Sequence, residues 1–150
     1  MTEFERLNMS CDLCQPSPHQ ILWQDDFCRV VLLNDADYPA YCRVELLEHI
    51  KEMTDLAPPQ RARMMKTVFA VELALREVTQ ADKINLASLG NKTPHVHWHV
   101  IPRFTNDKHF PNSHWGEAMR DGQPFSLDAA AQTNLNQKIK AHIECALLAE

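Results

Sequence analysis

The segment His95-Val-His-Trp-His-Val-Ile101 decides how this 150-residue chain is interpreted. In a β-strand successive side chains point to opposite faces, so His95, His97 and His99 would share one face. The apolar residues between them would share the other face and pack on a core. The pattern therefore predicts a half-buried strand that presents three imidazoles on one surface.

Three imidazoles in strict alternation have three possible roles. They could form a solvated strand face, which is the usual role of a lone surface histidine. They could bind a metal ion, because neutral imidazole is a common ligand for zinc and related ions. They could act on phosphorus, where one imidazole attacks the phosphoryl centre and its neighbours hydrogen-bond the oxygens or protonate the leaving group. The clean apolar face behind them favours the two functional roles.

Composition restricts the way in which this chain could bind phosphate. It contains eight histidines but only three glycines, at positions 90, 116 and 122, so a Walker loop or a dinucleotide fingerprint is excluded. The formal net charge of -5 argues against a non-specific nucleic-acid binder. The longest apolar run, 145–149, is far too short to span a bilayer, and residues 1–10 lack the apolar core of a signal peptide. We therefore expect a cytoplasmic protein with no nucleic-acid or membrane partner.

Hydrophobic periodicity predicts an α+β fold. Spacings of three and four residues predict two long helices, at 59–80 and 126–148, and Ser126 or Asp128 is the expected N-cap of the second. Short apolar or alternating runs predict strands at 21–23, 28–33, 42–47, 83–89 and 95–102. Because the strands come in clusters, an antiparallel sheet is favoured over alternating βαβ units. The charged residues of the third strand are expected on its solvent face, and 105–124 is expected to be irregular.

The five cysteines fall into two groups. An odd number without a secretion signal argues against a disulfide framework, and Cys28, Cys42 and Cys145 are expected to be small buried hydrophobes. Cys11 and Cys14 form a Cys-x-x-Cys pair, whose spacing serves both redox dithiols and zinc knuckles. The βαβ context of a thioredoxin-like site is missing, and a structural zinc ion needs two further ligands.

The sequence resembles the histidine triad (HIT) superfamily of nucleotide hydrolases and transferases. The resemblance rests on the triad segment and extends from the Cys-x-x-Cys pair through Asn34-Asp-x-x-x-Pro39 and the first long helix to Ile101-Pro-Arg103. The triad segment and His109-Phe-Pro111 resemble the corresponding segments of a bacterial HIT subgroup that is close to diadenosine tetraphosphate hydrolases.

The resemblance implies one HIT-like domain over residues 1–150, with its core at about 11–115 and a C-terminal helix at about 126–148. An antiparallel sheet of five to seven strands would pack against one long helix, and the chain would form a homodimer. His97 would attack the α-phosphate and carry the nucleotidyl group until water releases a nucleoside monophosphate. His99 would contact the α-phosphate or the bridging oxygen, and His95 would orient the site. The substrates would be dinucleoside polyphosphates or nucleoside phosphoramidates.

The resemblance also implies substrate contacts outside the triad. Asn34, or Asp35 in its place, would bind the ribose hydroxyls. The phosphate-binding turn of relatives corresponds to Asn91, with Ser88 close by. Where relatives carry a Gly-His pair this chain has Ala-Tyr41, whose hydroxyl can donate a hydrogen bond but does not titrate near neutrality. This departure keeps open a nucleotide-binding or sensory module with little turnover. Arg103, directly after the strand, could attract substrate anions or be a surface residue.

A zinc site is implied by the same resemblance. Some relatives bind zinc through two N-terminal cysteines, a histidine after the third strand and the first triad histidine. The matching residues are Cys11, Cys14, His49 and His95. Four protein ligands leave no open position, so this zinc would be structural and no organic cofactor is expected. The remaining alternative is a metal-dependent enzyme whose three triad histidines bind one ion.

Overall fold

The computed structural model describes residues 2–3 and 9–149. All five predicted strands and both predicted long helices are present, and the fold is α+β. In chain order they are β1 (Gln20–Gln24), β2 (Cys28–Leu32), β3 (Cys42–Leu46), α1 (Pro58–Thr79), β4 (Lys83–Ala87), β5 (His97–Arg103) and α2 (Ala129–Leu148). Two short 3-10 turns, Asp12–Cys14 and Met53–Asp55, flank the first three strands. No helix in the described ranges is long and apolar enough to cross a membrane.

The strands form one antiparallel sheet in the order β1-β2-β3-β5-β4. Its register places Arg43 opposite His99 and Glu45 opposite His97. Glu45 is fully buried and Arg43 is partly buried. The expectation that the charged residues of β3 lie on a solvent face is therefore wrong. Arg29 of β2 lies opposite Glu45 and forms a salt bridge with it, which allows the carboxylate to be buried.

The other face of the sheet carries the apolar core. Val30, Val44 and Val100 are fully buried there against α1, and α2 packs in turn on α1. The α2 contact uses the fully buried Leu135, Ile139 and Ile143, which recur every fourth residue along one helix face. Both long helices therefore lie behind the sheet, and neither α1 nor α2 covers the face that carries His97 and His99. A smaller apolar cluster of Tyr38, Tyr41 and Ile101 lies on that face.

Of the three cysteines that were expected to be buried, two are confirmed and one is wrong. Cys28 and Cys42 are buried, whereas Cys145 is exposed. Cys145 is two residues beyond the buried Ile143, which places it about 200° around the helix and away from α1. The start of α2 is confirmed at one of the two expected caps, because the Asp128 carboxylate accepts a hydrogen bond from the Ala131 amide at 2.8 Å.

The strand β5 begins two residues later than its alternating pattern predicts. His95 lies in the bend before it, and its amide donates to the Thr93 carbonyl at 2.8 Å. The bend follows a turn in which Gly90 has a φ of +73°, a left-handed conformation that glycine adopts without steric cost. Only His97 and His99 are therefore strand residues of the triad, and His95 is directed by the bend.

The segment after β5 is irregular, as expected, and Asp107 organises it. Its carboxylate accepts two hydrogen bonds from Arg103, at 2.8 and 3.1 Å, and others from the amides of Phe104, His109 and Phe110. Arg103 is only 3% exposed and bonds Asp107, so both hypotheses for it, an attractor of substrate anions and a surface residue, are wrong. Burial alone would raise the pKa of Asp107, but these hydrogen bonds outweigh burial and hold it well below 3.8.

Replacing Asp107 by Asn is expected to destabilise the protein by about 3–5 kcal/mol at neutral pH, because Arg103 loses its buried partner. The carboxylate has a depressed pKa in the folded state, so its contribution is complete above the unfolded-state pKa and is lost as the pH falls through the folded-state pKa. Urea unfolding of wild type and Asp107→Asn should therefore differ by a constant amount above about pH 5 and converge in acid.

The matched control is Asp121→Asn, an exposed position in the same irregular segment, which should change the free energy of unfolding by less than about 0.5 kcal/mol. Equal effects of the two substitutions would contradict the role given to Asp107.

Candidate active site

His97 is held with one ring nitrogen protonated and the other bearing a lone pair. Its Nδ1 lies 2.6 Å from the backbone carbonyl oxygen of His95. A carbonyl oxygen can only accept, so Nδ1 carries the proton and Nε2 is the basic nitrogen. Burial lowers the pKa of His97 below 6.5, against the opposing effect of that hydrogen bond, so the ring is neutral near pH 7. The Ser88 hydroxyl donates to the His97 carbonyl at 2.8 Å and fixes the backbone at this point.

His99 has the opposite arrangement. The Tyr41 hydroxyl lies 2.5 Å from its Nδ1, and burial raises the pKa of Tyr41 well above its usual value, so the phenol keeps its proton. Because that hydroxyl has no other acceptor among the described residues, we assign it as the donor, which leaves the His99 proton on Nε2. Burial, followed by His97 and Arg43, lowers the pKa of His99 to about 3. The two rings meet edge to face at 5.0 Å.

The irregular segment after β5 returns to the triad. The Trp115 ring lies 4.8 Å from that of His99, and the His114 ring lies 5.1 Å from that of Tyr41. His114 Nε2 is also 3.0 Å from the Asp35 carboxylate. Trp115 is 48% exposed, so one side of its ring packs on His99 and the rest faces solvent.

Charged side chains of β2 and β3 continue the triad surface, and sequence reasoning missed them. Glu45 Oε1 accepts from Arg29 Nε at 2.8 Å, and its Oε2 accepts from Arg43 Nε at 2.9 Å. These three residues line a depression of about 450 Å³. The available signal was the β3 alternation combined with an antiparallel β3–β5 register, which puts every second residue of β3 beside a triad histidine.

The substrate-binding residues proposed from the resemblance are dispersed. Tyr41 and Ser88 contact the triad as described above. Asp35 accepts from the amides of residues 37 and 38, at 3.0 and 3.2 Å, and reaches the triad surface through its contact with His114. Asn34 is exposed in the turn after β2, and Asn91 is exposed in the turn before β5.

A second cluster lies at the other side of His95. The ligand atoms of Cys11, Cys14, His49 and His95 all lie within 4.8 Å of one another, so the cluster could bind a metal ion. The Nδ1 atoms of the two histidines are 3.2 Å apart, and Cys14 Sγ lies 3.3 and 3.6 Å from them. A tetrahedral zinc ion with ordinary bond lengths requires edges of about 3.3 Å between nitrogens and about 3.6 Å between nitrogen and sulfur.

His95 is oriented for this cluster by its own backbone neighbour. Its Nε2 lies 2.7 Å from the Leu46 carbonyl oxygen, so Nε2 carries the proton and the Nδ1 lone pair faces the cysteines. His97 and His99 are not members of the cluster. The alternative in which the three triad histidines bind one ion therefore does not fit this geometry.

Comparisons with known proteins agree on one family. A family model described as HIT domain matches residues 15–106. A histidine triad protein from Bradyrhizobium japonicum is 32% identical, with a TM-score of 0.67 over 83% of this chain and 90% of that one. A histidine triad protein from Marinobacter aquaeolei VT8 is 26% identical, with a TM-score of 0.65 over 96% of both chains. A Zn-bound histidine triad family protein from Mycobacterium smegmatis is 21% identical, with a TM-score of 0.58 over 95% of this chain and 99% of that one. No curated protein matches at a significant level.

The hydrogen bond from Tyr41 predicts the tautomer of His99. In wild type, ¹⁵N NMR of the histidine rings should find the His99 proton on Nε2, and Tyr41→Phe should give a mixture of tautomers because the donor to Nδ1 is removed. Tyr38→Phe is the control: it removes a hydroxyl that bonds Asp107 and His109 instead, so His99 should not change. A His99 tautomer distribution that is the same in Tyr41→Phe as in wild type would contradict the assignment.

Proposed function

The chain belongs to the HIT domain family, and we propose that it cleaves a nucleotide at the α-phosphate through a covalent intermediate on His97. The observation that carries the proposal is the pair of complementary imidazoles. His97 offers an unprotonated Nε2 and His99, 5.0 Å away, offers an Nε2–H. Displacement at phosphorus is favoured by a nucleophile beside a hydrogen-bond donor that stabilises the negative charge on the phosphate and the leaving group.

The first step forms a bond from His97 Nε2 to the α-phosphorus and breaks the bond from phosphorus to the leaving group. The electron pair of the broken bond leaves with that group, and the neutral His99 stabilises it by donating a hydrogen bond from Nε2 while keeping its proton. A leaving amine takes its proton from solvent. The positive charge that develops on the His97 ring is stabilised by the His95 carbonyl oxygen at Nδ1. This hydrogen bond therefore strengthens as the reaction proceeds.

The second step returns the enzyme to its starting state. Water attacks the phosphorus and releases a proton to solvent, and the phosphorus–nitrogen bond breaks with its electrons returning to His97. The product is a nucleoside monophosphate. We assign ribose binding to Asn34 or Asp35 and phosphate binding to Asn91 and Ser88. Dinucleoside polyphosphates and nucleoside phosphoramidates are the proposed substrate classes.

Tyr41 supports an enzyme over a binding module with little turnover. It occupies the position where relatives have a Gly-His pair, yet its hydroxyl reaches His99 Nδ1. A phenol that stays protonated can hold the His99 tautomer as a neutral imidazole would. Tyr41 therefore keeps a hydrogen bond to the triad at the position where relatives have a histidine.

We propose that Cys11, Cys14, His49 and His95 bind a structural zinc ion. The support is the fit of their spacing to a tetrahedron and the His95 lone pair held toward the cysteines. A HIT family relative described as Zn-bound has the same fold. Four ligands leave no position for substrate, so zinc would hold the bend before β5 and supply no catalytic water.

A homodimer is the assembly that we propose. On α1, Phe69 and Leu73 are 54% and 42% exposed and lie four residues apart on one helix face. Large apolar side chains grouped on a helix are typical of an interface.

Replacing His97 by Ala or Gly should lower kcat by roughly 10³-fold or more, because the covalent route is lost. Release of AMP from diadenosine tetraphosphate and from adenosine 5′-phosphoramidate is the measurement. Mass spectrometry after a rapid denaturing quench at alkaline pH, where a phosphorus–nitrogen bond is stable, should detect a nucleotidyl adduct on His97 in wild type only. The control is His142→Ala on the surface of α2, which should keep full activity. Full activity in His97→Ala would sink the nucleophile assignment.

Elemental analysis should find about one zinc ion per purified chain. Cys11→Ser and Cys14→Ser should each lose most of it, whereas Cys145→Ser, at the exposed cysteine of α2, should keep it. Chelation should lower the melting temperature, because metal binding contributes to the free energy of folding. Complete loss of turnover on chelation at an unchanged melting temperature would contradict a structural role.

A further inference from the structure

The charged depression beside the triad has no assigned ligand. Its floor is the ion-pair cluster Arg29–Glu45–Arg43, and its walls come from the loop after the Cys-x-x-Cys pair and from the turn that contains Lys92. It adjoins the reaction centre, because Arg43 and Glu45 are the direct cross-strand partners of His99 and His97. A substrate bound at His97 therefore lies beside this depression.

The charge of the depression favours an anion. Its cationic lining residues are Arg29, Arg43 and Lys92, against the carboxylates of Asp12 and Glu45. Glu45 is fully buried and has both oxygens bonded by arginines, so it presents no acceptor to a ligand.

Arg43 is the cation best placed to bind it. Its Nε and Nη2 both bond the same Glu45 oxygen, at 2.9 and 2.8 Å, so the guanidinium plane is fixed. Its Nη1 has no partner in the described part of the chain. Arg29 is committed elsewhere: its Nε bonds Glu45 and its Nη2 bonds the carbonyls of Leu13 and Gln15. The fixed plane gives Arg43 a preorganised donor at low entropic cost.

We propose that this depression is an anion subsite, in which Arg43 and Lys92 bind a second anionic group of the substrate beyond the reacting phosphorus. The inference rests on the proposed function and narrows its substrate class. The preferred substrate places a phosphate chain or a carboxylate in the depression, and a substrate whose leaving group ends in a neutral group is disfavoured. Arg43 and Lys92 are then specificity-determining residues, and a charge-assisted hydrogen bond is the interaction that discriminates.

Two substrate pairs test the subsite and identify the anion. The adenosine 5′-phosphoramidates of β-alanine and propylamine differ by a carboxylate, and diadenosine tetraphosphate and diadenosine diphosphate differ in the length of the phosphate chain. Wild type should prefer the anionic or longer member of one pair by roughly tenfold in kcat/KM, the ratio equivalent to about 1.4 kcal/mol. The pair that shows the preference names the source of the anion.

Arg43→Gln and Lys92→Gln should each reduce that preference several-fold. Lys140→Gln, which removes the same charge from the exposed surface of α2, should leave it unchanged. The preference is a ratio, so a general effect of Arg43→Gln on the nearby histidines cancels. Lys92 is exposed, and its substitution keeps the test valid if Arg43→Gln fails to fold. A wild type without preference in either pair, or a preference that survives both substitutions, would overturn the proposal.

Binding separates this proposal from the proposed function. Calorimetric titration with inorganic tripolyphosphate and with the β-alanine phosphoramidate needs no turnover. If nothing is hydrolysed but one of these probes binds in an Arg43- and Lys92-dependent way, the anion subsite stands and the enzymatic proposal fails. If the His97-dependent reaction proceeds without discrimination between the members of either pair, the enzymatic proposal stands and the subsite fails.

Discussion

The arrangement of the site depends on His95, which is fixed at two atoms and directs two sites. Its Nε2–H donates to the Leu46 carbonyl, so its Nδ1 lone pair is available to the Cys11, Cys14 and His49 cluster. Its own carbonyl oxygen accepts from His97 Nδ1, so the lone pair of His97 is on Nε2. A residue in a bend would ordinarily have considerable freedom, and here both its ring and its carbonyl are committed. The metal-binding cluster and the triad are therefore joined by one residue.

One hydrogen-bond acceptor and one hydrogen-bond donor give the two strand histidines, His97 and His99, opposite tautomers. The His95 carbonyl oxygen accepts a hydrogen bond from His97 Nδ1, so the proton of His97 is on Nδ1. The Tyr41 hydroxyl donates to His99 Nδ1, so the proton of His99 is on Nε2. Burial lowers the pKa of both rings, so each stays neutral and keeps its tautomer. In the proposed reaction, a chain with few glycines would bind phosphate through imidazoles whose protons are positioned by neighbouring groups, and not through the backbone amides of a glycine-rich loop.

Local patterns predicted most of the fold and only part of the site. Strands and helices follow from periodicity within a few residues, which is why all seven elements were found. Cys145 was misplaced because burial on α2 depends on which helix face meets α1. Glu45 was expected in solvent because alternation alone does not reveal that two arginines on neighbouring strands will neutralise it. The candidate metal ligands were chosen by resemblance and not by spacing, since His49 and His95 are far from Cys11 in sequence, and the structure brings their ligand atoms within 4.8 Å of one another.

The buried ion pairs explain why the parts of this surface act as one unit. Arg29 joins the charged floor to the Cys-x-x-Cys loop: its Nε bonds Glu45 beside the triad, and its Nη2 bonds the carbonyl of Leu13, which lies between Cys11 and Cys14. Removing one partner of a buried pair leaves an uncompensated charge, so these contacts resist local change. A metal ion that tightens the Cys-x-x-Cys loop would thereby also hold the floor beside His97 and His99. The contacts of Arg29 thereby link the order of the Cys-x-x-Cys loop to the order of the charged floor beside His97.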